Sequence, residues 1–381
     1  MKFSCLQDNL SKGLAIVSRA VATRAPLPIT QNILLEVDDS KIKITATNLE
    51  IAISTWVPGK TESEGSLTVP ARMFTDFINS LPSGDQVDIS ATEDNHGIEI
   101  NCGKFKGRIS GTAADEFPPI PVVDDDNTFT VLGLDLKKSL ERVVVAAATE
   151  DSRPVLTGVK MDISDEEITL ATADGFRLAV DKVKIKNNGN VLPSDVIIPA
   201  RTMQELQRLI PEIESEIKFS ITESSNQVLF SFDTIQIVSQ LVQGQFPDYS
   251  KLIPDSHTTQ TIINREEFLQ AARAASIFAR DGSGIIKLIF DPSGSGVVNI
   301  FSSAEEIGDL ENQIQAKIEG EEARIAFNSK FLIDVLNVIK SSDIVFECSS
   351  PSSPGVFQEH SDNSDDNNSY THVVMPMFVQ W

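Results

Sequence analysis

Only a few stretches of this 381-residue sequence combine residue types that could bind a phosphate or a metal ion. The clearest is Gly59-Lys60-Thr61, which resembles the end of a loop whose backbone amides surround a nucleotide phosphate. Such a loop also needs a glycine five residues before Gly59, where this chain has Ser54, and a helix directly after it. Because Glu62–Val69 has the pattern of a turn and a strand, a hairpin turn is a better interpretation than a nucleotide site.

Asp362–Val373 superficially resembles a calcium-binding loop. In such a loop a glycine at the sixth position makes the sharp turn, and a glutamate at the twelfth binds the ion with both oxygens. Asn367 and Val373 stand at those two positions. The sequence therefore predicts a solvated acidic loop over residues 360–369 and no calcium site.

The remaining metal ligands and nucleophiles are scattered along the chain. None of the four histidines pairs with a cysteine at the spacing of a zinc site, and the Gly-x-Ser-x-Gly turn of serine hydrolases is absent. An odd number of widely spaced cysteines argues against a disulfide framework, so Cys5, Cys102 and Cys348 are predicted to be buried free thiols. We therefore expect no cofactor and no metal, and an enzyme is only a remote alternative.

The composition restricts the class of protein further. The formal net charge is −23, and the longest apolar runs are far shorter than a bilayer span. Polar residues at Gln7-Asp8-Asn9 interrupt what would be the apolar core of a signal peptide. These features predict a cytoplasmic protein without membrane contact. Such acidity also argues against binding to nucleic acid, unless the positive charge is concentrated on one face.

The chain repeats itself with the period of a whole domain. Val69-Pro70-Ala71-Arg72 reappears 129 residues later as Ile198-Pro199-Ala200-Arg201, and Ile325-Ala326-Phe327-Asn328 is a weaker third echo. Solenoid repeats are much shorter, at roughly 20–50 residues. Phe-Pro pairs at Phe117-Pro118 and Phe246-Pro247 lie at the ends of the first two copies. We therefore predict three domains, at residues 1–124, 125–254 and 255–381.

Each copy contains two helical patterns separated and followed by short alternating strands, which is typical of an α+β domain with an antiparallel sheet. The helical patterns cover Leu6–Arg24, Ala71–Leu81, Leu132–Glu150, Ala200–Ile210, Arg265–Arg280 and Asn328–Lys340. These six segments hold 14 basic and 9 acidic residues, so they are net basic within an acidic chain. A face made from these helices would suit weak, sequence-independent contact with phosphates. Ordinary solvated helix surfaces explain the count equally well.

Three segments together resemble the bacterial sliding clamp, the β subunit of DNA polymerase III. Thr172-Ala173-Asp174-Gly175-Phe176-Arg177-Leu178-Ala179 is similar to the family's Thr-Asp-Gly-His-Arg-Leu-Ala segment. Phe246-Pro247-Asp248-Tyr249 is similar to its second interdomain joint, and Val373-Val374-Met375-Pro376-Met377 to its C-terminal tail. The resemblance covers the whole chain, and the order and spacing of the segments make it specific.

The resemblance implies a non-catalytic processivity factor. Three similar clamp domains per chain would form half of a six-domain ring, which a head-to-tail homodimer closes around duplex DNA. Candidate DNA contacts carried over from the family are Arg24, Arg72, Lys137, Lys138, Arg142, Arg201 and Arg273. Candidate ring-closure residues are Phe105 and Ile109 in the first domain and Ile277 and Phe278 in the third.

The resemblance also implies a hydrophobic pocket that binds short peptides of the replicative polymerase, the clamp loader and other replication and repair proteins. Its residues would be Leu156, Ala173, Gly175, Phe176, Arg177, Leu178, Pro247, Lys251, Leu252, Val373, Val374, Met375, Pro376 and Met377. Without the resemblance, the tail would be interpreted as a plain edge strand packed on the core.

This chain departs from the family pattern at several positions. Phe176 stands where a histidine is usual, Phe378 where a basic residue is common, and Gln380-Trp381 extends the tail. Glu150 lies near a position that is often uncharged and faces DNA. The alternative from another class is a monomeric three-domain scaffold that binds proteins and never encircles DNA.

Overall fold

The computed structural model describes residues 1–22, 27–38, 41–120, 128–150, 152–187, 194–222, 226–281, 283–294, 296–304, 308–361 and 369–381. Arg24, a predicted DNA contact, lies outside these ranges, as does most of the acidic loop predicted over residues 360–369.

A helix forms in each of the six segments whose apolar residues recur at helical spacing. The helices are α1 (Gln7–Val17), α2 (Ala71–Ser80), α3 (Gly133–Val143), α4 (Ala200–Leu209), α5 (Arg265–Asp281) and α6 (Ser329–Val338). Two predicted helices, Leu6–Arg24 and Leu132–Glu150, are shorter than expected, because each ends in a single 3-10 turn, Ser18–Ala20 and Val144–Ala146. In the second case the helix ends within Val143-Val144-Val145, whose β-branched side chains crowd the preceding helical turn.

The strands pair antiparallel throughout the described chain, which confirms the predicted antiparallel sheet. They are β1 (Lys2–Leu6), β2 (Asn32–Asp38), β3 (Lys41–Thr47), β4 (Ile51–Val57), β5 (Gly59–Ser63), β6 (Gly65–Pro70), β7 (Gln86–Ala91), β8 (Gly97–Cys102), β9 (Phe105–Ser110), β10 (Phe129–Leu132), β11 (Gly158–Ile163), β12 (Glu167–Ala173), β13 (Arg177–Asn187), β14 (Ser194–Pro199), β15 (Glu216–Thr222), β16 (Gln227–Phe232), β17 (Ile235–Gln240), β18 (Thr259–Asn264), β19 (Ile285–Asp291), β20 (Val297–Ala304), β21 (Gly308–Gly320), β22 (Ala323–Asn328), β23 (Asp343–Cys348), β24 (Gly355–Glu359) and β25 (Thr371–Val374). Gly59-Lys60-Thr61 lies within β5, so the interpretation as a hairpin turn is wrong. An extended strand is equally incompatible with a phosphate-binding loop.

The described chain divides into two compact units. The first comprises Met1–Leu134, Ile185–Val191 and Arg208–Leu241. It contains one sheet of order β5-β1-β7-β8-β9 and another of order β6-β2-β3-β4-β17-β16-β15-β10. Helix α1 buries Leu10, Leu14 and Val17 against β3 and β4, which explains its apolar spacing.

The second unit comprises Asp135–Lys184, Leu192–Gln207 and Val242–Trp381. One of its sheets has the order β14-β11-β12-β13-β25-β24-β23-β18. The second half of β21 continues that sheet beside β18, while its first half pairs with β20 in a sheet of order β21-β20-β19-β22. Aromatic rings fill the core between these strands, with Phe290 and Phe346 stacked at 4.8 Å between ring centroids.

All three cysteines are free and buried, as predicted. Burial raises the pKa of the Cys5 and Cys348 thiols to about 12, so both stay protonated at neutral pH. They act as small apolar core residues.

Candidate functional site

A tight turn between β12 and β13 presents an aromatic ring to solvent. The Oδ1 atom of Asp174 accepts hydrogen bonds from the backbone amides of Phe176 (2.8 Å) and Arg177 (3.0 Å). Gly175, between them, has a φ of +93°, a left-handed conformation that side chains with a Cβ rarely adopt. The sequence Asp-Gly therefore fixes the turn, and the turn positions Phe176.

Arg177 is held rigidly at the base of this turn. Its Nε donates to Asp174 Oδ2 at 3.0 Å, and its Nη1 donates to Asp334 Oδ2 of α6 at 2.7 Å. The guanidinium also lies 4.6 Å above the ring of Phe331. Charge-assisted hydrogen bonds to two carboxylates, together with the cation–π contact, order this buried side chain.

Phe176 and Phe331 form an aromatic rim. Their rings are stacked with an interplanar angle of 24° and 6.2 Å between centroids. Phe176 nevertheless remains 60% exposed. A large apolar side chain so open to water, yet stacked on a fixed neighbour, is typical of a binding surface.

Beside this rim lies a cavity of about 260 Å³. Its lining residues are Ala147, Ala148, Thr149, Glu150, Ser152, Arg153, Leu156, Asp174, Phe176, Arg177, Lys330 and Phe331. Arg177 is already neutralised by its two carboxylate partners. Among the described lining residues Arg153, Arg177 and Lys330 stand against Glu150 and Asp174, which leaves a net charge of +1 next to an apolar surface.

The floor of this cavity is a continuous apolar cluster. Leu156, which lines the cavity, packs in one buried cluster with Ala173, Leu178 and Val373. These three lie beneath the surface rather than on it. Their part in a binding site would be to support the exposed residues from below.

The C-terminal segment is anchored along the same turn. Strand β25 pairs with β13 on one side and β24 on the other, so it is an interior strand and the edge-strand interpretation is wrong. Val374 is fully buried in it. Beyond it, the Met375 amide donates to the Phe176 carbonyl at 2.8 Å, and the Met377 amide donates to the Ala326 carbonyl at 2.7 Å.

The end of the chain also has fixed contacts. Lys287 Nζ donates to the Gln380 carbonyl at 2.7 Å and lies 5.8 Å from the centre of the Trp381 ring. Phe378, in contrast, is 87% exposed. The two-residue extension is thus held against β19, while Phe378 faces solvent.

A second cavity, of about 360 Å³, lies along the Phe246–Tyr249 joint and includes Pro247 in its lining. Here the Tyr249 hydroxyl donates to Asp162 at 3.2 Å, and burial together with that carboxylate raises the pKa of Tyr249 to about 12. Lys251 and Leu252 are exposed on the 3-10 turn Ser250–Leu252 and line neither cavity.

The predicted DNA contacts differ widely in exposure. Arg72, Lys138, Arg201 and Arg273 are exposed, and Lys137 is half-buried. Arg142 is only 4% exposed, between Asp181 at 3.2 Å and Glu359. The prediction that Arg142 contacts DNA is therefore corrected, because a guanidinium enclosed by protein carboxylates cannot reach a phosphate.

The predicted ring-closure residues also differ in their exposure to solvent. Phe105 is exposed on β9, which pairs only with β8 among the described strands and is thus an edge strand. Ile109, on the same strand, is buried within its own chain. On α5, Ile277 is exposed and Phe278 half-buried.

The sequence did not predict that Arg153, Lys330 and Phe331 belong to the cavity. Lys330 and Phe331 begin α6, more than 150 residues after Phe176. A lysine and a phenylalanine at a helix start carry no local signal of binding, since such residues are common in solvated and core positions alike.

The part of the chain that the structure describes contains no cluster of three or more potential metal-ligating side chains. Within the same ranges, no helix combines the length and apolar character that crossing a bilayer requires.

Comparisons with known proteins agree over the whole chain. Residues 1–121, 131–248 and 250–378 match the sequence models of the N-terminal, central and C-terminal domains of the DNA polymerase III beta subunit. The beta sliding clamp of Staphylococcus epidermidis is 30% identical over 99% of both chains. That of Bacillus subtilis is 31% identical over 90% of this chain and 92% of its own.

Solved structures give the same result. The DNA polymerase sliding clamp of Bacillus subtilis superposes with a TM-score of 0.92 at 28% identity, covering 100% of both chains. The DNA polymerase III subunit beta of Pseudomonas aeruginosa superposes with a TM-score of 0.89 at 26% identity, covering 99% of this chain and 100% of that one.

Proposed function

This chain belongs to the DNA polymerase III beta-subunit family, the beta sliding clamps, and from that premise we propose that it closes into a homodimeric ring around duplex DNA. The family fixes the general function as a non-catalytic processivity factor in DNA replication, built from three clamp domains. Ring closure, the DNA-facing side chains, the peptide pocket and a cytoplasmic location belong to the proposal.

Two edge strands of opposite charge support ring closure. Strand β9 carries exposed Lys106 and Arg108, and among the described strands it pairs only with β8. The first half of β21 carries Asp309 and Glu311 and pairs only with β20 among them. An unpaired edge is a ready template for another strand, and opposite charges favour the pairing of β9 with the β21 of a second chain.

The exposed cations on the helices support weak DNA contact. Arg72 of α2 and Arg201 of α4 are the last residues of the two repeated Pro-Ala-Arg segments, and both are exposed to solvent. A ring retains DNA by topology, so it needs only weak phosphate contacts that allow sliding. The remaining acidity would repel DNA that is not threaded through the ring.

The observation that carries the proposal of partner recruitment is the cavity beside the Phe176–Phe331 rim. An exposed aromatic side chain, an apolar floor and a slight positive charge suit a short peptide with apolar side chains and one acidic residue. The polymerase, the clamp loader and other replication proteins would compete for this site.

Retention on DNA tests the ring. The protein is loaded by a clamp loader onto nicked circular DNA, which is then linearised. We expect retention on circles and loss from the free ends. Equal retention on both forms would contradict encirclement, and a persistent monomer in sedimentation at micromolar concentration would favour the monomeric scaffold.

Truncation of the rim tests the pocket. Replacing Phe176 by Ala removes the largest exposed apolar contact, so we expect affinity for a polymerase C-terminal peptide to fall by about 2 kcal/mol, roughly 30-fold. Phe378→Ala is the matched control, because Phe378 is more exposed yet lines neither cavity. Equal affinities of the two variants in fluorescence polarisation would remove Phe176 from the pocket.

A further inference from the structure

The turn that presents Phe176 has a counterpart in the first unit. Asn48 Oδ1, between β3 and β4, accepts from the amides of Glu50 (3.0 Å) and Ile51 (2.9 Å). These are the bonds that Asp174 makes two and three residues ahead of itself. The middle residue again has positive φ, +78° at Leu49 against +93° at Gly175.

The flanking strands correspond as well. Strand β17 pairs antiparallel with β4, as β25 pairs with β13. At the end of β17 the Gln240 amide donates to the Glu50 carbonyl at 2.9 Å. In the second unit the Met375 amide donates to the Phe176 carbonyl at 2.8 Å. Glu50 thus occupies the position of Phe176, and Gln240 that of Met375.

A cavity opens beside this turn too. Its volume is about 150 Å³, and Leu49, Glu50, Ala52, Ile120, Val238 and Gln240 are among its lining residues. Its floor is an apolar cluster of Ala52, Val238 and Leu229, against which Ile120 packs. Because it is smaller than the cavity beside Phe176, we expect it to receive a single apolar side chain.

Leu49 gives the cavity a feature that packing alone does not explain. Its side chain is 39% exposed, so the site gains little from having leucine there. Its left-handed backbone is unfavourable for any residue with a Cβ and would suit glycine. A strained, exposed apolar residue at the mouth of a cavity points to a contact with another molecule.

The charge of the lining selects the occupant. Among the described residues that line the cavity Glu50 alone is charged, and its carboxylate makes no ion pair within the described part of the chain. The cavity beside Phe176 has three cations, Arg153, Arg177 and Lys330, against two carboxylates, Glu150 and Asp174. An exposed carboxylate beside an apolar pocket favours a cationic ligand, and the net charge of −23 reinforces that preference at longer range.

We propose that the cavity at Leu49 and Glu50 is a second peptide-binding site. This proposal rests in part on the function proposed for the Phe176 turn. It takes a short extended segment of a partner protein in which an apolar side chain is followed by lysine or arginine. The apolar side chain enters beside Leu49, and the cation pairs with Glu50. Because the two cavities differ in charge, one chain recruits basic and acidic peptides at separate places.

Two labelled hexapeptides test this proposal, Gly-Leu-Arg-Gly-Leu-Arg and its counterpart with Glu in place of Arg. Fluorescence polarisation with the full chain measures their affinities. We expect Glu50→Gln to weaken the basic peptide up to fivefold, as expected for loss of one exposed ion pair, and Glu50→Lys to weaken it further. Glu64→Lys is the matched control for net charge, since Glu64 is exposed in the same unit but lies outside the cavity lining.

The position of the bound peptide gives the second measurement. A photoreactive group on the basic peptide should crosslink within residues 47–52, 118–120 or 227–240. Equal loss of affinity in Glu50→Lys and Glu64→Lys, or crosslinks elsewhere, would overturn the proposal. The acidic peptide and the Phe176→Ala variant test the cavity beside Phe176 independently. Phe176→Ala should leave the affinity for the basic peptide unchanged, so a failure of the Phe176 site can be distinguished from a failure of the Glu50 site.

Discussion

Replacing Arg142 by Met should destabilise the second unit strongly, although the change removes only one charge from an acidic protein. Arg142 is 4% exposed, and its Nη1 lies 3.2 Å from Asp181 Oδ2, itself 2% exposed. Its Nη2 contacts Glu359, and its Cζ lies 5.2 Å from the centre of the Tyr370 ring. The guanidinium therefore joins α3 to β13, to the end of β24 and to the residue preceding β25.

The magnitude follows from what Arg142→Met leaves behind. Removing one partner of a buried ion pair costs about 3–5 kcal/mol, because the other charge stays buried without compensation. Asp181 keeps one bond, from the Lys182 amide to Oδ1 at 2.9 Å, and Glu359 is partly exposed. We therefore expect the lower end, about 3 kcal/mol. That is a large share of the 5–15 kcal/mol typical of a whole domain.

Hydrogen exchange measures this loss locally, which matters because a chain of several domains need not unfold in one step. Amide protection across residues 177–184 and 371–374 should fall by about two orders of magnitude, at 1.36 kcal/mol per tenfold. Lys138→Met is the control, since Lys138 is exposed and 4.0 Å from the same Glu359. We expect less than about 1 kcal/mol there.

A double variant separates the ion pair from simple packing. Arg142→Met with Asp181→Leu removes both charges, so most of the lost protection should return. If Arg142→Met lowered protection less than fivefold, or if the double variant were no better than the single one, the assignment of Arg142 as a buried structural cation would be refuted.

Three further predictions concern a buried histidine, a left-handed backbone position and the exposed cations. Burial, reinforced by Arg177, lowers the pKa of His372 to about 3. His372 therefore stays neutral in the folded chain, whereas in the unfolded chain it gains a proton below about pH 6.5. The free energy of unfolding should fall by about 2 kcal/mol between pH 7.5 and 5, and His372→Gln should show a correspondingly flatter pH profile of unfolding. Leu49→Gly should stabilise the first unit by about 1 kcal/mol in urea unfolding, whereas Asn95→Gly, at φ +57°, should gain less because asparagine tolerates this conformation. Removing both Arg72 and Arg201 should lower the slope of log affinity against log salt for a short duplex by about 1.8, while Arg142→Met should leave the slope unchanged.

Local patterns in the sequence predicted the six helices and the antiparallel α+β class of this fold, but they missed strand β5. Leu10, Leu14 and Val17 recur at helical spacing and are buried in α1, and Ile42 and Ile44, which alternate with lysines in the sequence, are buried in β3. The ends of α1 and α3 were less predictable, because a 3-10 turn continues the same apolar spacing. The three-domain boundaries at residues 124 and 254 remain a prediction.

The candidate site was predictable only where its residues are contiguous. The Asp174–Arg177 turn follows from its own sequence, since Asp and Gly specify the geometry. Phe331 and Asp334 reach the same place from α6, and the bond from Arg177 to Asp334 spans 157 positions. The prediction that Arg142 contacts DNA is wrong for the same reason. A charged residue on a helix is expected to face water, and Arg142 is buried only because Asp181 and Glu359, which are distant in the sequence, pack against it.

The two related turns show why the sequence repeat predicts the backbone fold better than it predicts the ligand of each cavity. In both turns the Oδ1 atom of an Asn or Asp accepts hydrogen bonds from backbone amides further along the chain, and this gives the two turns a similar shape. The side chain presented at the tip takes no part in those bonds, and it is a carboxylate in Glu50 but an aromatic ring in Phe176. Identical backbone geometry therefore leaves the preferred ligand open, and each cavity has to be assigned from its own side chains. On that basis an acidic and a slightly basic cavity should not compete for the same peptide.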